Sequence, residues 1–190
     1  GKAILLVPDQ ATYGLERRFA ETMPCKGFAG TQVLGFSRLA YRVFQERGLE
    51  HQSLSELSRQ IVLQRLLRRY GDELTVLQTA ARQPNFVATV GQFIWECRSF
   101  CISPDDLRQA AAGLEGQTLA RKLEDIAVLY DGYDEFLANH FGTADDVMTL
   151  LAREIGNYQF LKGARIWVDG FHWFTPQQME ILRLAAPQAD

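Results

Sequence analysis

The chain opens with five consecutive apolar positions, Ala3 to Val7, stopped by Pro8. A short unbroken apolar run of this kind predicts a strand buried on both faces, as in a parallel sheet. The period then changes. Leu15, Phe19 and Met23 fall on one side of a helix and Glu16, Arg17 and Arg18 on the other, with Pro24, Gly27 and Gly30 ending the segment. Thr31 to Phe36 reads as a second strand, and Ser37 as the cap of a second helix that runs through Arg47 and closes at Gly48.

From about Leu54 to Phe160 no β-branched run appears and helical spacing takes over. Leu57, Ile61, Leu66, Leu67 and Tyr70 define one helix, and Phe86, Val90, Phe93, Ile94 and Cys97 a second. Another starts at Pro104, whose fixed φ suits a first turn, after Ser103 as its cap. Leu119, Leu123, Ile126, Tyr130, Tyr133 and Leu137 form the longest stripe, and Val147, Leu150 and Leu151 the last. Strand character returns at Ile166 to Val168, after a turn at Gly163, and an amphipathic helix follows. Two early strands, one late strand and roughly a hundred helical residues between them exceed an ordinary βαβ crossover. The pattern predicts an α/β fold: a parallel-sheet lobe from residues 1–48 and 161–190, with an all-helical insertion over 49–160.

Composition narrows this picture. With 190 residues, 47% of them hydrophobic, the chain can bury one sizeable core or a core with an inserted lobe. Its apolar runs fall short of the roughly 20 residues of a membrane span, and no basic segment precedes them, so a cytoplasmic setting without a membrane partner is expected. Three cysteines, with only Cys97 and Cys101 one helical turn apart, favour buried free thiols over a disulfide framework or metal site. A net charge of −3 gives no global attraction to nucleic acid, so any DNA contact must rest on local arginines and geometry. A start at Gly1 without Met, and an end just past an apolar helix, lead us to expect a piece of something longer.

The candidate chemistry lies where strands end. The stretch from Arg165 to Leu182 is an apolar strand ending in Asp169, a turn and an amphipathic helix. That is the layout of the second nucleotide-binding motif of helicase-type P-loop ATPases, in which the aspartate holds Mg²⁺ and an adjacent glutamate orients water. Here the neighbour is Gly170, and no GxxxxGK followed by Ser or Thr occurs in the chain. The lobe is therefore read as P-loop helicase-like but incomplete and non-catalytic, with Asp169 either a Mg²⁺ candidate or a turn cap, and His172 a polar or surface contact rather than a base. After the first strand, Asp9, Gln10 and Thr12 offer short polar groups at the start of a helix, suited both to capping it and to meeting a phosphate oxygen. After the second, Phe36, Arg38 and Tyr41 combine two rings with a guanidinium, the chemistry that stacks unpaired bases and reads a guanine edge. Phe171 would open onto the same edge of the sheet, and for Phe36 and Phe171 the competing role is core packing. Arg59, Arg65, Arg68 and Arg69 form a basic patch readable as a solvated face or as a DNA backbone contact, and Tyr130, Tyr133 and Phe136 read as core.

The strings LLVPDQATYGLE, TQVLGFSRLAYRVFQERG, CISPDDLR, KLEDIAVLYDGYDEFL, DDVMTLLARE and KGARIWVDGFHWFTPQQMEIL, in that order, cover nearly the whole chain. Together they resemble the B subunits of AddAB-type ATP-dependent helicase/deoxyribonucleases, which process double-strand breaks for recombinational repair. The resemblance implies an N-terminal piece of a longer subunit that pairs with AddA and has a helicase-like half without translocase activity. It implies that the parent handles ATP and Mg²⁺, and that its nuclease domain and 4Fe-4S cluster lie downstream, leaving this segment no cofactor of its own. It also implies single-stranded DNA as partner and recognition of Chi, a regulatory DNA sequence. Thr12, Phe36, Arg38 and Phe171 fit the matching positions, with Gln10 in the same VPDQATY motif as Thr12, whereas Tyr41 stands where tryptophan is common. Two rival roles remain open: an ATP-binding switch or ATPase once an upstream phosphate loop is present, and a structural platform for AddA.

Overall fold

The computed structural model describes residues 2–22, 30–49, 54–80, 83, 85–114, 116–141 and 146–189. Among them the secondary structure is mostly helical, with one three-stranded parallel sheet. Strand β1 (Lys2–Leu6) leads through a short 3-10 turn, Asp9–Ala11, into helix α1 (Thr12–Thr22). Strand β2 (Thr31–Leu34) feeds α2 (Phe36–Arg47), and five further helices follow: α3 (Glu56–Tyr70), α4 (Leu77–Ala80), α5 (Phe86–Ser99), α6 (Pro104–Ala112) and α7 (Thr118–Phe141). Helix α8 (Val147–Glu154), strand β3 (Ala164–Val168) and helix α9 (Pro176–Ala185) complete the described chain. No described helix is long and apolar enough to cross a membrane.

The chain divides into two compact units. One is built from both ends, Gly1–His51 and Asp145–Asp190, and the other from Gln52–Ala144. In the first, the strand order is β2-β1-β3 with both pairings parallel, and Leu6 stands opposite Leu34 on one side and Val168 on the other. The three strands therefore stop at one level, and the three loops that follow them leave from the same edge. Pleating sends Ile4 and Leu6 to one face, where they join Leu39, Val43 and Phe44 of α2, Leu151 of α8 and Ile181 of α9 in a buried cluster. Residues 146–160, which sequence periodicity groups with the helical insertion, thus contribute α8 with its buried Leu151, and the buried Ile155 just after it, to the α/β unit.

The other sheet face is only partly covered. Ala3 and Leu5 are half-buried beside an open depression that Phe19 and Thr31 also line, and Trp167, opposite Leu5 in register, is 61% exposed. A strand buried on both faces, as expected from the apolar run, is therefore the wrong description for β1: its odd positions are half-open because, among the described residues, β3 beside it carries no cover on that side.

The helical unit has its own core, with Val62, Leu63, Leu66 and Leu67 of α3, Ile94 and Cys97 of α5, Leu107 of α6 and Leu129, Tyr130 and Tyr133 of α7. Ser103 caps α6 through a reciprocal bond with Asp106, as its spacing predicts. Leu57 and Ile61, assigned by the sequence to the inner stripe of α3, are instead exposed; the packed face lies one residue further on, at Val62 and Leu63. Cys97 is buried and burial pushes its thiol pKa up, which makes it an inert core group. Cys101 is exposed, contrary to the expectation for it. Met23, Pro24 and Gly27, expected to mark the first helix and its end, lie outside the described residues.

Candidate nucleic-acid interface

The edge of the sheet where β1, β2 and β3 stop is tied together by the backbone and by one carboxylate. The Val7 N–H donates to the Leu34 carbonyl at 2.9 Å and the Asp169 N–H to the Leu6 carbonyl at 3.0 Å, so pairing continues to the last residue before each loop. Asp9 then reaches across from the first loop to the second. Its Oδ2 accepts the Ser37 hydroxyl at 2.9 Å and its Oδ1 the Ser37 N–H at 3.3 Å. The sequence assigns the α2 cap to Ser37, but the helix already starts at Phe36 with Gly35 in the cap position. Asp9 supplies the acceptor instead, from 28 residues away, and places a negative charge at the positive end of α2.

This clasp explains the glycine between strand and helix. A Cβ on Gly35 would lie 1.9 Å from Asp9 Oδ1 and 2.8 Å from its Cα, so the two loops approach backbone to backbone. Gly35→Ala is expected to cost about 1–3 kcal/mol of stability and to break the Asp9–Ser37 contacts. Denaturant titration checks the first effect, and an unchanged midpoint would show that the loops are not held this closely. Gly170 plays a related part in the third loop: its φ is +77°, a region that side chains resist, and a Cβ there would press on Pro8 Cδ at 3.3 Å. The position that follows Asp169 is thus shaped for glycine.

Each residue singled out from the sequence has a definite place. Gln10 is exposed in the 3-10 turn. Thr12 is buried, 6% exposed, and its hydroxyl donates to the Asp9 carbonyl at 2.9 Å, which removes it from any direct contact with a ligand and makes it a support for the first loop. Phe36 is also buried, 2% exposed, because as the first residue of α2 it turns into the core and meets Phe171 edge-on at 5.7 Å. It cannot offer a stacking face. Phe171 is half-buried and packs in turn on Phe174 at 4.8 Å, so the second and third loops meet through rings. Arg38 is 46% exposed at its side chain and its Nη1 bonds Glu16 Oε1 of α1 at 2.8 Å. Tyr41 is 66% exposed.

Sequence reading missed two exposed rings near this edge, Trp173 in the third loop and Tyr13 at the start of α1, 65% and 75% exposed. A large aromatic side chain left in water is the signal that could have found them. Asp169 is exposed at the end of β3, and among the described residues no group of three His, Cys, Asp or Glu side chains gathers as a metal site. The edge of the sheet carries a rim of polar and aromatic side chains.

Comparison with known proteins gives a consistent result. The family model described as "ADDB, N-terminal" matches residues 1–190. A relative from Pelotomaculum thermopropionicum is 40% identical over 98% of the chain, one from Symbiobacterium thermophilum 37% over 94%, and one from Bacillus subtilis 36% over 96%. Each is named as the B subunit of an ATP-dependent helicase/deoxyribonuclease. The chain spans 16% of the length of each of these relatives.

Proposed function

The chain belongs to the ADDB N-terminal family, and from that premise we propose that it is a non-hydrolysing, P-loop helicase-like module that holds a single DNA strand. In this reading it serves the B subunit of a cytoplasmic ATP-dependent helicase/deoxyribonuclease, paired with an A subunit, in recombinational repair of double-strand breaks. ATP turnover and DNA cleavage are the work of other parts of that complex. The observation that supports the reading is that three parallel strands end at one level, so that the loop holding Gln10, the helix α2 holding Arg38 and Tyr41, and the loop holding Phe171 all follow the same edge of the sheet.

Accessibility decides which of these side chains can meet a base. An exposed tyrosine gives a base a π-face, and base–aromatic stacking is worth about 1–3 kcal/mol per base. An arginine with donors to spare can reach two acceptors on a guanine edge, which suits Arg38 to reading a Chi-type sequence. Phe36 and Thr12 act one layer behind, holding the loops that present these groups. Gly170 fits a module that has stopped cycling, since nothing at that position can orient water and the backbone there favours glycine.

Fluorescence anisotropy with labelled single-stranded oligonucleotides tests the proposal on the full-length protein. Arg38→Ala and Tyr41→Ala are each expected to weaken binding about tenfold or more, with Arg38→Ala also flattening preference among sequences. Wild-type affinity in both folded variants would leave the rim without a role in DNA binding.

A further inference from the structure

Helix α2 carries three arginines, and two of them are already committed. Arg38 pairs with Glu16 at 2.8 Å and Arg47 with Glu154 at 3.1 Å. Arg42 is exposed and has no salt bridge to any described residue. Spacing alone would pair it with Glu46, four residues on. That carboxylate is turned elsewhere, its Oε1 accepting the Gln159 N–H at 2.8 Å. The charge of Arg42 is left without a direct partner among the described residues, beside an exposed ring.

Its surroundings form a site. Leu39, Ala40, Val43 and Phe44 turn inward, so Arg38, Tyr41, Arg42 and Gln45 share the outward face of the helix and, with Ser37, line a shallow groove. Arg42 lies about 6 Å further along the helix axis than Arg38, a step of the order of one nucleotide of an extended strand. We propose that this groove is a continuation of the single-strand track, in which Arg42 takes a backbone phosphate next to the nucleotide whose base stacks on Tyr41. The proposal rests on the DNA-binding reading above and extends it with a division of labour. Arg38, oriented by Glu16, reads a base, and Arg42 supplies attraction that does not depend on sequence. Gln45 closes the groove with a neutral donor.

The two roles leave different signatures. Loss of one phosphate contact on a single strand lowers the magnitude of the slope of log K against log salt by about 0.7 and weakens all sequences alike. Oligonucleotides of several sequences, titrated at rising NaCl against the full-length protein, give both quantities. Arg42→Ala is expected to show the reduced slope with a several-fold weaker affinity for every sequence, and Arg42→Lys to keep most of the wild-type slope. As Arg42 is exposed, both variants are expected to fold normally, which circular dichroism verifies. A wild-type slope and affinity in Arg42→Ala, while Arg38→Ala and Tyr41→Ala weaken binding, would overturn the groove proposal and leave the rim intact. No binding by the wild type, or none of it sensitive to Arg38 and Tyr41, would overturn both.

Discussion

Phe36→Ala is expected to destabilise the α/β unit by about 3–5 kcal/mol, the usual cost of emptying a fully packed phenylalanine site. The ring is 2% exposed, sits among Leu39, Ala40 and Ile181 in the core cluster, and supports Phe171 edge-on at 5.7 Å. Its loss removes packing beneath the second loop and the contact that joins the second loop to the third. A fall in Tm of roughly 10 °C or more is the expected scale for a unit of this size. Phe36→Leu separates structure from recognition, because it keeps apolar volume without an aromatic face. That variant should recover most of the stability and, once folded, bind single-stranded DNA close to wild type. A stable Phe36→Leu protein that has lost DNA binding would instead show that the ring itself touches a base.

In the helical unit the largest single effect is expected at Asp125. This carboxylate is 3% exposed in the first half of α7, yet among the described residues no cation pairs with it; it is held by hydrogen bonds. Oδ1 accepts the Thr75 N–H at 2.9 Å and the Thr75 hydroxyl at 3.2 Å, and Oδ2 accepts the N–H groups of Val76 and Leu77, each at 2.8 Å. Asp125 therefore caps α4 from another helix, satisfying amides that the short helix cannot satisfy itself. Asp125→Ala strands several of these donors at about 1–3 kcal/mol each, so a total loss of about 3 kcal/mol or more is expected. Asp125→Asn keeps one acceptor oxygen and should fall between. Chemical denaturation followed by far-UV circular dichroism measures both, and a wild-type midpoint for Asp125→Ala would mean that water replaces the carboxylate without cost.

These two residues show where local pattern stops being informative. The three strands, the long α7 stripe and the Ser103 cap were legible because each depends on spacing within a few residues, and the placement of the strand-end loops on one edge followed from parallel pairing. The depth of each side chain did not follow. Phe36 reads the same in sequence whether α2 begins at Phe36 or Ser37, and that register is set by Asp9, 28 residues away. Likewise nothing near Asp125 announces its partners, which come from 48 to 50 positions earlier. Leu57 and Ile61 were misassigned because a helix with apolar residues on more than one side fits two stripes, and only the neighbouring helices choose between them. Arg42 is the opposite case: Glu46 stands at pairing distance in sequence, and the fold uses that carboxylate for the Gln159 amide.

We propose that one unpaired DNA strand lies across the rim formed by the loops after β1, β2 and β3. Photocrosslinking of a single-stranded oligonucleotide carrying 5-iododeoxyuridine to the full-length protein, followed by peptide mapping, tests it most directly. Adducts on Tyr41, Phe171 or Trp173 are the result expected if the strand runs there. Efficient crosslinking confined to peptides outside residues 8–13, 36–45 and 169–174 would contradict it.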